Sequence, residues 1–177
     1  MVVQIGGRLD SGFDDPIGML RDCHRRIERF LGILCQMVER ASSETLTEEE
    51  SNAVLRALQY FRSGGRRHTA DEEESLFPRL RRSIDEDSRE AMNRLENDHR
   101  EANDLHEAVD RLYSKWISTG TLSPEDRHSL SSKTSSLRHL YAEHIPAEET
   151  DLFPQASHLL DRDAIAAIGE EFRARRK

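Results

Sequence analysis

Apolar positions recur along this chain at alternating steps of three and four, the spacing that keeps one helix face inward. Ile17, Leu20, His24, Ile27, Leu31, Leu34 and Val38 form the first such stripe, and Asp15-Pro16 ahead of them supplies an N-cap and a first-turn proline. A helix over roughly 16–41 is predicted. A second stripe runs Val54, Leu58, Phe61, Gly65, His68, Glu72, Leu76, Leu80, opened by Thr47 and Glu50 in capping-box spacing, and predicts a helix over 48–81. Ser63-Gly64-Gly65 interrupts it, which predicts a kink or break, or a close helix approach at the small residue. Pro78 is expected to bend its last turn.

The third helix is predicted over 85–118, through Met92, Leu95, His99, Ala102, His106, Val109, Tyr113 and Trp116, ending at Thr119-Gly120. Ser123-Pro124-Glu125-Asp126 starts a fourth with a cap, a proline and two acids. Its stripe is Leu130, Thr134, Leu137, Tyr141, His144, Glu148, Leu152, with a kink expected at Pro146. Asp161 caps a short fifth helix carrying Ile165 and Ile168. The fold class is therefore all-α: an up-down-up-down four-helix bundle with a short C-terminal fifth helix. The expected organisation is a flexible tail over 1–13, the bundle over 14–160, and a C-terminal helix over 161–177 packed on it.

The inward stripes carry polar residues in a repeated pattern. His68 to Pro78 reads HTADEEESLFP and His144 to Pro154 reads HIPAEETDLFP, 76 positions apart. In each half an earlier inward histidine precedes the motif, His24 by 44 residues and His99 by 45. The chain thus reads as two helical hairpins of one design, related by a pseudo-twofold axis when packed face to face. Residues four apart on a helix are neighbours on one face, so His68 with Glu72, and His144 with Glu148, each present an imidazole and a carboxylate to one place. With His24 and His99 the candidate metal ligands number four histidines and two carboxylates. That donor set suits iron, zinc and manganese. Two carboxylates can bridge two cations and reduce their repulsion, so a pair of metals is the more natural occupant. A lone inward histidine is usually a hydrogen-bonded core residue, but two inward glutamates at matched spacing are hard to explain as packing, because an unpaired buried carboxylate is costly.

Other candidates carry less. Glu73 and Glu149 sit about 100° round the helix from the inward glutamates, where solvated or capping acids are the commoner finding. His106 lies two turns, about 10 Å, from His99, too far to share its metal, and is expected as a core or supporting group. His128, His139 and His158 are expected at the surface. The Leu-Phe-Pro tails are expected to pack as a plug beside the site. Tyr141 is expected to hydrogen-bond near the site or to pack.

Composition narrows the classes. Hydrophobic residues make up 36% and charged residues 34%, which fits narrow apolar stripes and wide solvated faces. The net charge of −8 is unfavourable for nucleic acid. The basic runs at Arg79, Arg81 and Arg82, and at Arg173, Arg175, Arg176 and Lys177, read as C-terminal helix charges complementing the macrodipole. Apolar stretches are too short for a membrane span, and the N-terminus does not look like a signal peptide. Cys23 and Cys35, twelve residues apart on one helix, cannot bridge each other, so a reduced, cytoplasmic protein is expected. No separate signalling domain, DNA-binding motif or nucleophile–base pair is evident.

The pattern of His24, His68-Thr-Ala-Asp-Glu72, His99 and His144-Ile-Pro-Ala-Glu148, with two Leu-Phe-Pro tails, resembles the hemerythrin-like, or HHE cation-binding, family over about residues 15–160. The resemblance implies a four-helix bundle holding a non-haem di-iron centre bridged by two carboxylates and by an oxo, hydroxo or water ligand; on the donor set, zinc or manganese stay open as alternatives to iron. By position it assigns His24, His68, Glu72, His99, His144 and Glu148 as ligands. Oxygen-carrying hemerythrins have a second histidine four residues after the first on helix 3, where this chain has Asn103. They take the last carboxylate five residues after its histidine, where Glu149 stands; the spacing in helix 2 favours Glu148, with Glu149 as the alternative. One histidine fewer implies a more open iron. The family thus implies binding of O2, NO or peroxide for sensing, storage or iron handling. The rival expectations are a di-iron oxidase, peroxidase or nitric oxide-handling enzyme, and a zinc-binding structural or regulatory bundle. A monomer or weak homodimer is expected.

Overall fold

The computed structural model describes residues 10–40 and 45–177. Residues 1–9 of the expected tail, and Ala41 at the expected end of the first helix, lie outside the described residues. The described chain is all helical, with no strand. Helix α1 covers Pro16–Arg40. Helix α2 spans 48–80, α3 covers Glu86–Thr119, α4 spans 124–159 and α5 covers Arg162–Ala174. Helix α1 packs on α2 and α4, and α3 on α4 and α2, giving a helical bundle.

The helix starts follow local chemistry. Asp15 Oδ1 accepts from the Gly18 N–H at 2.9 Å. Thr47 and Glu50 close a reciprocal capping box, and Asp85, Ser123 and Asp161 each accept from the N–H three residues on. Helix α3 ends on Gly120 in the left-handed region, with φ 76°.

Two helices depart from regularity where the sequence suggested kinks. At Ser63-Gly64-Gly65 the chain stays helical and widens into a π-turn over Phe61–Gly65. Two further π-turns, Glu72–Leu76 in α2 and Glu148–Leu152 in α4, occupy equivalent places in the two repeats. In each, the N–H of the following phenylalanine, Phe77 or Phe153, reaches back five residues to the carbonyl of the inward glutamate, Glu72 or Glu148. The next residue is Pro78 or Pro154. A proline ring inside a regular helix collides with the carbonyl four residues back. A widened turn just before it removes that collision. Pro146 lies inside the segment Pro124–Ala147, and the change in winding follows it.

Two apolar clusters fill the bundle. One gathers Ile27, Leu31, Leu34, Leu58, Phe61, Val109, Tyr113, Trp116 and Leu137. The other gathers Leu20, Leu76, Phe77, Leu95, Leu152, Phe153, Ile168 and Phe172. On every one of the four long helices the inward histidine lies in sequence between a residue of one cluster and a residue of the other. A polar layer therefore separates them.

Helix α5 closes the second cluster. Ile168 and Phe172 are fully buried, and burial of a side chain the size of Phe172 stabilises by about 1.5–3 kcal/mol. A Cβ at Gly169 would collide with the Phe13 carbonyl, so only glycine permits this approach. Arg79 pairs with Glu171 at 2.7 Å. Arg175 and Arg176 reach Asp71, which is fully buried, at 3.0 and 2.6 Å. Those two arginines thus do more than complement the helix macrodipole, the role the sequence suggested.

Candidate metal centre

The six residues singled out by the repeat converge in the polar layer. His24, His68, His99 and His144 are buried, and Glu72 and Glu148 are fully so. The two carboxylates sit among the four imidazoles. Glu148 Oε2 lies 3.1 Å from His24 Nε2, while its Oε1 faces His144 Nε2 at 3.3 Å and His99 Nε2 at 4.0 Å. Glu72 Oε1 lies 3.9 Å from His24 Nε2, and its Oε2 is 3.4 Å from both His68 Nε2 and His99 Nε2.

His24 Nε2, His99 Nε2 and all four carboxylate oxygens have no hydrogen-bond partner. Orphaned buried polar atoms are rare, because each costs about 1–3 kcal/mol or more if charged. Six of them aimed at one another fit a donor set for cations. Two groups bring ligand atoms within 4.8 Å of one another: His24, His68, Glu72 and Glu148, and separately His99, His144 and Glu148.

Acids on the neighbouring helices hold the imidazoles from behind. His24 Nδ1 bonds Glu149 Oε1 at 2.8 Å, His99 Nδ1 bonds Glu73 Oε1 at 2.9 Å, and His144 Nδ1 bonds Asp98 Oδ2 at 3.1 Å. Such bonds fix the ring orientation, leave Nε2 free to ligate, and raise its basicity. Glu149 is therefore a support and Glu148 faces the centre. His68 is the exception, since its buried Nδ1 has no partner. The repeat offset explains it: Cys23 precedes His24 where Asp98 precedes His99.

Electrostatics follow from this geometry. Burial alone would lower His24, but the nearby Glu148 and Glu72 carboxylates, with its bond to Glu149, outweigh it and push its pKa up to about 9. His99 rises to about 10 for the same reasons, through Glu72 and Glu73. Burial and the charge of Glu148 lift Glu72 to about 7. Burial works to raise Glu148 too, yet His144 and His24 hold it well below the usual carboxylate range. Burial, then the nearby His24 charge, drives His68 well down.

The aromatic plug expected from the Leu-Phe-Pro tails is present. Phe153 stacks on His24 at 5.4 Å and Phe77 on His99 at 6.1 Å, both with 12° between planes. His106 bonds the Tyr141 hydroxyl through Nε2 at 3.0 Å and stacks on Phe61. His128, His139 and His158 are exposed.

The profile of the Hemerythrin HHE cation binding domain matches residues 15–156, most of the chain and all six converging residues. The chain belongs to the hemerythrin HHE family. This hemerythrin-domain protein is also similar to an uncharacterized protein of Haemophilus influenzae, 26% identical over 173 residues and covering 93% of this chain and 92% of that one. No helix among the described residues is long and apolar enough to cross a membrane.

The supporting acids are what sequence reasoning undervalued. Glu73 and Glu149 read there as more often solvated, yet each is about one-third exposed and bonded to an imidazole. The available signal was the doubled acid, Glu72-Glu73 and Glu148-Glu149, in both copies of the motif.

Proposed function

We propose that this hemerythrin-domain protein holds two iron ions and binds O2, or a relative such as NO or peroxide, for sensing, storage or iron handling. His24 and His68 would hold one ion, His99 and His144 the other, and Glu72 and Glu148 would span both. The observation that carries this is the disposition of the carboxylates. The two oxygens of Glu148 face opposite histidine pairs, and all four carboxylate oxygens lack any other partner. A single ion would leave part of that set unsatisfied. A bound iron pair supplies redox-active coordination of a small oxygen or nitrogen ligand.

This chain's residues orient and insulate such a centre. Glu73, Glu149 and Asp98 aim three imidazoles, while Phe77 and Phe153 exclude water on one side. The same reading includes an up-down-up-down order for α1–α4 and a pseudo-twofold axis through the site, supported by the matched π-turns. It also includes a cytoplasmic, monomeric or weakly dimeric protein, with the 14–160 bundle as its working unit and neither nucleic acid nor membrane as partner.

Metal content and the absorption spectrum of protein made in iron-rich medium, before and after air exposure, test it. About two irons per chain with near-ultraviolet charge-transfer bands appearing in air is the expected result. Zinc alone, or folded protein retaining no metal, would overturn it in favour of a structural or regulatory bundle.

A further inference from the structure

We propose that a pocket between α2 and α3 binds a small, neutral aromatic molecule carrying one hydroxyl group, a phenol-type ligand, beside His99. What the ligand then reaches rests on reading His99 as a metal ligand; the pocket itself does not.

A cavity of about 410 Å³ opens there, lined among others by Phe61, Gly65, Ala102, His106, Tyr141 and His99. A water needs roughly 30 Å³, and a diatomic ligand not much more. The volume falls instead in the range of sites for organic molecules, about 300–1,000 Å³.

The lining selects the chemistry. Phe61 and His106 stack at 4.1 Å with 27° between planes, making an aromatic wall suited to another ring. Tyr141 bonds His106 Nε2 at 3.0 Å. Whichever of the two donates, the phenolic oxygen keeps a hydrogen-bonding capacity for a ligand hydroxyl. At the rim Arg62 is held in two hydrogen bonds by Asp110, at 2.5 and 2.6 Å, and Arg66 lies 3.6 Å from Glu107. With two of the three lining arginines so paired, a charged ligand gains little there.

Gly65 provides the independent argument. Its backbone is ordinary right-handed helix, φ −60° and ψ −48°, open to any residue. A Cβ there would meet only Phe61 Cδ1, at 3.5 Å, an ordinary contact. Neither conformation nor close packing requires glycine, and glycine inside a helix is destabilising. Its visible consequence is the open space. The 76-residue offset that relates His68 to His144 also relates Gly65 to Tyr141, so the opposite half carries a tyrosine where this half carries the opening. The pocket is one-sided by sequence.

Phenol titrated into the purified protein, followed by calorimetry and by the NMR signals of the His106 ring, tests this. One saturable site per chain is expected. Gly65→Leu should lower phenol affinity at least tenfold with helical content and metal content unchanged, and Gly65→Ala should give a smaller loss in the same direction. Tyr141→Phe should lower phenol affinity about fivefold, the worth of one hydrogen bond, and leave toluene binding unchanged. No saturable phenol binding, or binding that Gly65→Leu leaves intact, overturns the proposal. Metal content of the same samples separates the two readings. Gly65-dependent phenol binding by protein that retains no metal after growth in iron-rich medium would sink the metal centre and support the pocket. Metal-loaded protein that ignores phenol would do the reverse.

Discussion

His24 Nδ1 lies 2.8 Å from Glu149 Oε1, a carboxylate 125 residues further along the chain and on the neighbouring helix. The counterpart, His99 with Glu73, spans 2.9 Å. Each acid immediately follows the fully buried glutamate that faces the centre. One doubled acid thus supplies a carboxylate that faces the centre and, about 100° round the helix, a support for a histidine on the next helix.

Glu73→Gln and Glu149→Gln should therefore each weaken metal affinity about 10–100-fold, the usual effect of losing a carboxylate behind a ligating imidazole. The fold should survive, since both acids are about one-third exposed. Glu148→Gln should cost more, because it acts on both histidine pairs. Competition against a chelator of known affinity measures all three. Equal losses from Glu148→Gln and Glu149→Gln would contradict the division of roles.

Much of this site was legible in the sequence, for physical reasons. Thr47, Ser123 and Asp161 marked helix starts because capping is local. His68 and Glu72 marked a site because helical spacing alone puts them on one face. The supports were not legible in the same way. That Asp98 reaches His144, or Glu73 reaches His99, depends on which helices are neighbours and on their relative rotation. The π-turns at Glu72–Leu76 and Glu148–Leu152 left only Pro78 and Pro154 as traces. Arg175 and Arg176 read as end-charges because nothing local connects them to Asp71, more than 100 residues earlier.

Metal uptake should release protons. With His24 held up at about 9, His99 at about 10 and Glu72 at about 7, the metal-free site near neutral pH carries protons that a cation must displace. Apparent affinity should rise from pH 6 to pH 10. Stability of the metal-free protein runs the other way. The raised histidines contribute stability that is complete below their unfolded value near 6.5 and is lost as pH rises through 9 to 10. Raised Glu72 adds a cost that grows from about pH 4.5 to 7. Calorimetry in two buffers of different ionisation heat should count about two protons released at pH 7. Uptake without proton release would refute the assignment of charge.

The C-terminal arginines should stabilise the site as well as the fold. Asp71 is fully buried next to Glu72, with Arg175 at 3.0 Å and Arg176 at 2.6 Å. Deleting residues 175–177 would leave that carboxylate unpaired, at a cost of about 3 kcal/mol, the low end for a broken buried pair because the arginines keep some exposure. Urea unfolding should show it, together with weaker metal retention. Asp71→Asn in the truncated chain should recover part of the loss, since no buried charge then remains. A truncated chain with an unchanged midpoint would mean the pairs contribute nothing.

Two adjacent glycines should respond in opposite directions to the same change. At Gly64 a Cβ would lie 2.6 Å from Cε2 of Tyr60. That ring cannot simply swing away, because its hydroxyl donates to the Cys23 carbonyl at 3.2 Å and its face stacks on Phe30 at 4.7 Å. At Gly65 the added methyl meets only an ordinary contact with Phe61. Alanine has the higher helix propensity by about 0.8–1 kcal/mol. Gly65→Ala should therefore stabilise the folded chain by up to about that amount. Gly64→Ala should destabilise it by about 1–3 kcal/mol, the usual cost of overpacking. Thermal unfolding of the two variants, side by side at one metal loading, decides the matter. A stabilising Gly64→Ala would show that Tyr60 is free to move, and that its bond to Cys23 does not hold α2 against α1.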